Sequence, residues 1–186
     1  LVATNSNDVL HKLFSENFYK KGQVTETLAP SMDISVASNF ERLLFNLFNN
    51  NSEKLQKTMS SFPKEQISVP KEFWKKAEDF FLSFPSTDQE ILQEIKNTFA
   101  SNNYILDPHT STGVRAARKL VPTDQSVVTM ATAHPSKFIE AIKQVLAEES
   151  VEIPYQLKDI EGKQEDFVVL PNNIDKVREY IVSSIN

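Results

Sequence analysis

The stretch Leu1-Val2-Ala3-Thr4-Asn5-Ser6-Asn7-Asp8 passes from three apolar residues into five polar ones, and Leu10, Leu13, Phe14 and Phe18 follow at helical spacing. Apolar strand, polar loop and amphipathic helix form the repeating unit of an α/β sheet. The same rhythm returns twice. Tyr104-Ile105-Leu106 reads as a strand, Asp107-Pro108-His109-Thr110 as a loop, and Ser111 to Leu120 as a helix with Val114, Ala117 and Leu120 inward. Val127-Val128-Thr129-Met130-Ala131 reads as a strand, Thr132-Ala133-His134 as a loop, and a helix burying Phe138, Ile142, Val145 and Leu146 follows Pro135. The predicted class is therefore α/β with an open sheet.

Between these units the pattern is helical. Ser38 and Glu41 have capping-box spacing ahead of Phe40, Leu43, Leu44, Leu47 and Phe48. Residues 51–102 are charged, carry scattered aromatics and read as purely helical. Pro70 opens one helix whose buried stripe is Phe73, Ala77, Phe80, Phe81 and Phe84, with Trp74 at its flank. Thr87 and Glu90 form a second capping box before Ile91, Ile95 and Phe99. The expected division is 1–50 and 103–186 in the α/β part, with 51–102 as a helical insertion. Asn173 caps a last helix bearing Ile174, Val177 and Ile181. The apolar start at Leu1 reads as a cut before or inside a strand of a longer polypeptide.

Composition narrows the chemistry. With 186 residues the chain is long enough to bury a core. No apolar run reaches the roughly 18 residues of a membrane span. A net charge of −5 without a basic stripe disfavours nucleic-acid binding. The absence of cysteine removes disulfides, thiolate metal sites and a cysteine nucleophile. Three glycines, far apart, cannot build a phosphate-cradling loop. No HxxxH, HExxH or G-x-S-x-G is present, so neither a metal site nor a serine hydrolase is indicated.

Ligands of open α/β sheets lie outside the carboxyl ends of the strands. The three polar loops are thus the candidate site, and the helix N-termini behind them favour an anion. Asn5, Asn7 and Ser38 read equally as helix caps. His11 reads as solvated. His109 and His134 each follow a strand end and flank a proline, so their imidazoles are held in place. From the residues alone the reading ends at half of an α/β site for a small anionic ligand.

Five segments in order carry a more specific resemblance: Thr4-Asn5-Ser6-Asn7-Asp8, Pro30-Ser31-Met32-Asp33-Ile34, Ser38-Asn39-Phe40-Glu41-Arg42-Leu43-Leu44, Asp107-Pro108-His109-Thr110, and Thr132-Ala133-His134-Pro135-Ser136-Lys137-Phe138. Together they resemble the C-terminal part of threonine synthase, a pyridoxal-phosphate enzyme of fold type II whose open sheet is like that of the tryptophan synthase β subunit. The resemblance implies conversion of O-phosphohomoserine and water to threonine and phosphate, in the cytoplasm, with pyridoxal 5'-phosphate as cofactor and no metal. It also implies that the Schiff-base lysine and the cofactor-phosphate loop lie upstream. The fragment alone would then hold no catalytic residue, be inactive, and need the rest of its own chain to complete the site. A related phospho-lyase, or a non-catalytic module binding an anion or a protein partner, is the alternative.

The resemblance also implies roles for residues. Thr132 would face the pyridine nitrogen of the cofactor, or else cap the next helix. Asn5 and Asn7 would lie near the cofactor's edge. Asp107, His109, Thr110 and His134 would line the cleft, as would Ser38 and Asn39. Arg42 would hold the substrate phosphate or carboxylate, or else pair with a nearby acid. The chain departs from the family at Ala29, where serine is frequent, and at Ser111-Thr112, where Ala-Val is frequent.

Overall fold

Leu1 to Thr4 delivers the expected strand, β1 (Val2–Thr4), and its neighbour comes from the segment read as purely helical. That neighbour is β2 (Ser83–Pro85), which runs parallel with Val2 opposite Ser83 and Thr4 opposite Pro85. The ladder is extended by Val2 N–H to Leu82 O at 2.8 Å and Ser86 N–H to Thr4 O at 2.9 Å. Both strands therefore end at the same edge, where the 5–8 and 86–88 turns begin. The computed structural model describes residues 1–62, 64–147, 151–158, 160 and 162–185. It divides into two units, Leu1–Glu152 and Ile153–Asn186.

In the first unit, α1 (Val9–Glu16) follows β1, and its C-terminus is set by Asn17 in the left-handed region (φ 52°). A short 3-10 turn covers Pro30–Met32, and then come α2 (Phe40–Leu47), α3 (Ser52–Met59) and α4 (Lys71–Phe80). After β2 come α5 (Asp88–Asn102), α6 (Pro108–Leu120), a 3-10 turn at Pro135–Phe138 and α7 (Ile139–Ile142). The second unit contains α8 (Tyr155–Lys158) and α9 (Ile174–Ile185), with Asn173 Oδ1 accepting the Asp175 and Lys176 N–H groups as a cap.

Several expectations are corrected. Tyr104-Ile105-Leu106 and Val127 to Ala131 have no strand partner among the described residues. Strand formation requires a neighbour for each N–H and C=O, and Val128 and Met130 remain 87% and 74% exposed. Asp107 to Thr110 is no free loop: Asp107 is the cap and Pro108 the first residue of α6. The Ser38–Glu41 capping box does not form; Asn39 precedes α2 without a side-chain cap bond. In α4 the buried residues are Trp74 and Ala77, while Phe80 is 82% exposed and Phe84 lies in β2. His11 is not simply solvated, because its Nδ1 meets Ser83 Oγ at 2.9 Å and ties α1 to β2.

Two apolar clusters hold this unit. In the first, Val9 and Leu13 of α1 pack with Phe40, Leu44, Trp74 and Ala77. Phe14 stacks on Phe81 at 4.9 Å and on Trp74 at 5.7 Å between centroids, a geometry that adds about 0.5–1.5 kcal/mol per pair beyond burial. The second cluster joins Ala29, Ile91, Ile95 and Leu106, with Val114 and Met32 against it. It fixes α5 beside α6 and the Pro30 turn, which carries most of the candidate site.

The Thr87–Glu90 capping box forms as expected, with Thr87 N–H donating to Glu90 Oε2 at 2.9 Å. Glu90 also pairs with Arg115 of α6. The Thr87 backbone N–H, and then the Thr87 hydroxyl and Arg115, hold the Glu90 carboxyl below its ordinary value against the opposing effect of burial. A carboxylate lowered in this way stabilises the fold above its unfolded value, and the contribution disappears as pH falls through the folded value. Glu90→Gln in the full-length protein is therefore expected to lower stability at neutral pH. In denaturant titrations the gap from the native protein should close below the ordinary carboxylate range, about pH 4.3.

Candidate functional site

The Asp-Pro-His-Thr stretch folds locally for simple reasons. Pro108 restricts Asp107 to extended geometry (φ −74°, ψ 159°), and this turns the Asp107 carboxylate back over the first turn of α6. Oδ1 accepts from His109 N–H at 2.9 Å, His109 Nδ1–H at 3.0 Å and Thr110 N–H at 3.4 Å. Among the described residues Oδ2 accepts only the Thr110 hydroxyl, at short range. Asp107, His109 and Thr110 are all buried.

The imidazole tautomer follows from its neighbours. Ser31 N–H, in the Pro30 turn, donates to His109 Nε2 at 3.0 Å, so that nitrogen carries the lone pair and Nδ1 carries the proton. Both ring nitrogens are thereby engaged, and Phe138 packs on the ring at 4.6 Å between centroids. His109 braces the Pro30 turn against α6.

Thr132 meets the same network from the other side. Its N–H donates to Thr110 Oγ1 at 3.0 Å, and its hydroxyl lies 3.2 Å from that oxygen. Close approach makes this possible: a Cβ on Gly113 would come within 2.9 Å of the Thr129 methyl. Thr132, His109, Ser31, Thr112 and Gly113 share one cleft of about 530 Å³ whose apolar wall includes Val127, Val128 and Met130. A second cleft of about 570 Å³ has Thr132 and His134 among its lining residues. His134 is exposed and caps the Pro135 turn through Nδ1.

Asn5 and Asn7 build a different structure. Asn5 Nδ2 donates to Asp33 Oδ1 at 2.7 Å, to Thr27 Oγ1 at 2.8 Å and to Ala29 O at 3.2 Å. Asn7 Nδ2 reaches Asp33 Oδ1 at 2.9 Å and Thr25 O at 2.8 Å, while Asn7 N–H donates to Asn5 Oδ1 at 2.8 Å. The two amides clasp the 25–33 segment to the end of β1. Asp33 is the hub of that clasp, and the sequence reading missed it: an aspartate three residues after a proline carries no periodic signal.

Two further hydroxyls were also missed. Thr4 Oγ1 and Ser86 Oγ are buried at the carboxyl ends of β1 and β2 with no hydrogen-bond partner among the described residues. Ser38, Asn39 and Arg42 are exposed at the start of α2. No described contact joins them to the Asp107–Thr132 network. The departures at 111 and 112 are structural, since Ser111 Oγ donates to Ile91 O at 2.9 Å and Thr112 Oγ1 to His109 O at 2.8 Å. Among the described residues no cluster of ligands for a metal ion occurs, and no helix is long and apolar enough to cross a membrane.

The family described as "Threonine synthase, C-terminal" matches residues 110–181. A threonine synthase of Pseudomonas aeruginosa is 38% identical over 183 residues, which are 97% of this chain and 39% of that protein. The PLP-bound threonine synthase of Brucella melitensis has the same fold at a TM-score of 0.84 and 32% identity, covering 96% of this chain and 39% of that one. Yeast threonine synthase matches at a TM-score of 0.82 and 27% identity, covering 98% of this chain and 41% of that one. The chain spans about two fifths of the length of the curated relatives it matches. By sequence and by fold, this α/β chain belongs to the threonine synthase family.

Proposed function

We propose that the chain forms one wall of the active site of a threonine synthase, which converts O-phosphohomoserine and water to threonine and phosphate in the cytoplasm. The observation that carries this reading is the shared cleft of Thr132 and His109, joined through Thr110 and Asp107. Its size lies within the usual range for small-molecule sites, about 300–1,000 Å³.

The residues suit one edge of pyridoxal phosphate. An apolar wall with an uncharged hydroxyl at its end fits an aromatic ring with one polar atom. Thr4 and Ser86 add two hydroxyls, unpartnered among the described residues, at the carboxyl ends of the strands, where ligands of open sheets lie. Three scattered glycines do not supply a phosphate cradle, so the cofactor phosphate is assigned to the rest of the full-length protein, where the resemblance to threonine synthase implies that the Schiff-base lysine lies as well. When bound, the cofactor supplies an electron-withdrawing ring that takes up charge while protons move on the substrate.

On this reading Thr132 meets the ring nitrogen with a neutral group. Asp107 and His109 hold α6 and the Pro30 turn in place and take no proton from substrate. Asn5 and Asn7 shape the cofactor's edge through the 25–33 segment. Ser38, Asn39 and His134 line the substrate side, and Arg42 is the candidate for a charged substrate group. Residues 51–102 are an insertion that lends β2 to the sheet, between the 1–50 and 103–186 portions.

The test is turnover by purified full-length protein. It should be yellow with bound pyridoxal phosphate and form threonine and inorganic phosphate in equal amounts from O-phosphohomoserine. Phosphate release without threonine would favour a phospho-lyase, and a colourless protein a non-catalytic module. The isolated chain should turn over nothing.

A further inference from the structure

A cavity of about 400 Å³ opens beside the turn that leaves the carboxyl end of β1, and it shares no lining residue with the Thr132 cleft. Its charged lining residues are Lys12, Lys20, Lys21 and Asp8, a local net charge of +2 in a chain of net charge −5. Lys12 Nζ is taken up by Asp8 Oδ1 at 2.9 Å, while Lys20 and Lys21 have no acidic partner among the described residues. The other cavities differ. No lysine, arginine or carboxylate lines the Thr132 cleft, and beside Trp74 the lysines at 71 and 75 face Glu16, Glu78 and Asp79.

The two free lysines stand on a loop clamped at both ends. Before them, buried Tyr19 donates its N–H to Ile67 O at 2.9 Å and accepts Ile67 N–H at 2.7 Å. After them, Asn7 Oδ1 accepts Thr25 N–H at 2.8 Å, and Asn7 Nδ2 donates to Thr25 O at 2.8 Å. Residues 20–24 thus run between two fixed points along the edge of the cavity. Neighbouring like charges repel, and a dianion between them turns that repulsion into attraction. Lysine takes phosphate as a point charge. Val9, Phe18 and Ile34 add an apolar lining that suits a short carbon chain.

We infer that this cavity is a further binding site, in which Lys20 and Lys21 hold the phosphate group of a small molecule. Free phosphate and a phosphate ester share that chemistry, and the test separates them.

The experiment is trace acetylation of the full-length protein, with the modification of each lysine read by peptide mass spectrometry and exposed Lys57 as the internal reference. Inorganic phosphate should slow Lys20 and Lys21 saturably, by about tenfold at about ten times the half-protecting concentration. Sodium chloride at equal ionic strength should not. Glycerol 3-phosphate protecting at lower concentration than inorganic phosphate assigns the site to an ester, and the reverse order assigns it to the free anion. Lys20→Gln should raise the phosphate concentration that half-protects Lys21 by about fivefold, as one charge-assisted contact is lost. Equal slowing by chloride, no slowing by either phosphate, or an unmoved midpoint in Lys20→Gln overturns the inference. Lysines 20 and 21 that are already unreactive without phosphate overturn it as well, because the rest of the protein then covers the cavity.

Discussion

Asp107→Ala is expected to lower the unfolding free energy of the full-length protein by about 3 kcal/mol or more. Loss of a helix N-cap costs about 0.5–2 kcal/mol. Here the carboxylate also accepts the buried His109 Nδ1–H and the buried Thr110 hydroxyl. A buried donor left without an acceptor costs about 1–3 kcal/mol, and alanine leaves two. His109 would also lose the group that fixes its tautomer, loosening its hold on Ser31 N–H. Denaturant unfolding of native and variant proteins gives the comparison. A loss below about 1 kcal/mol would mean that Asp107 acts as an ordinary cap and that the network is not cooperative.

Thr132→Asp is expected to reduce turnover by about 100-fold or more, in line with the loss of one well-placed catalytic hydrogen bond or proton-transfer group. The hydroxyl leaves the charge on a neighbouring ring nitrogen adjustable, whereas a carboxylate holds that nitrogen protonated. The new carboxylate would also sit one hydroxyl away from Asp107 and compete for the Thr110 proton. The cofactor absorbance of the full-length variant should change along with the rate of phosphate release. An unchanged spectrum and an unchanged rate would remove Thr132 from the ring.

The sequence was legible where the cause of structure is local. Leu1 to Thr4, the helix from Val9, the Thr87 cap and the Asn173 cap all appear, because an apolar run, a period or a capping residue acts within a few positions. Asp107 to Thr110 read as a loop, whereas Asp107 caps α6 and Pro108 opens it, because the carboxylate turns back on the helix's first N–H groups. What could not be read is what depends on distant partners. Ser83 to Pro85 is too short and too polar to announce a strand, and becomes one by pairing with Val2 to Thr4 across the fold. Val127 to Ala131 has strand composition but no described neighbour to pair with. Asn5 has the composition of a cap, yet its amide nitrogen donates to Thr27, Ala29 and Asp33, more than twenty positions away.

The missing side chain at position 113 bears on how this site can vary. Glycine inside a helix is less favourable than alanine by about 1 kcal/mol, so α6 gives up intrinsic helicity at its sixth residue. In return the helix lies close enough to the 127–132 stretch for two threonines on separate segments to touch. Any larger residue there would act as a spacer, and the hydroxyl at 132 would drift from its anchor with every named polar group still present.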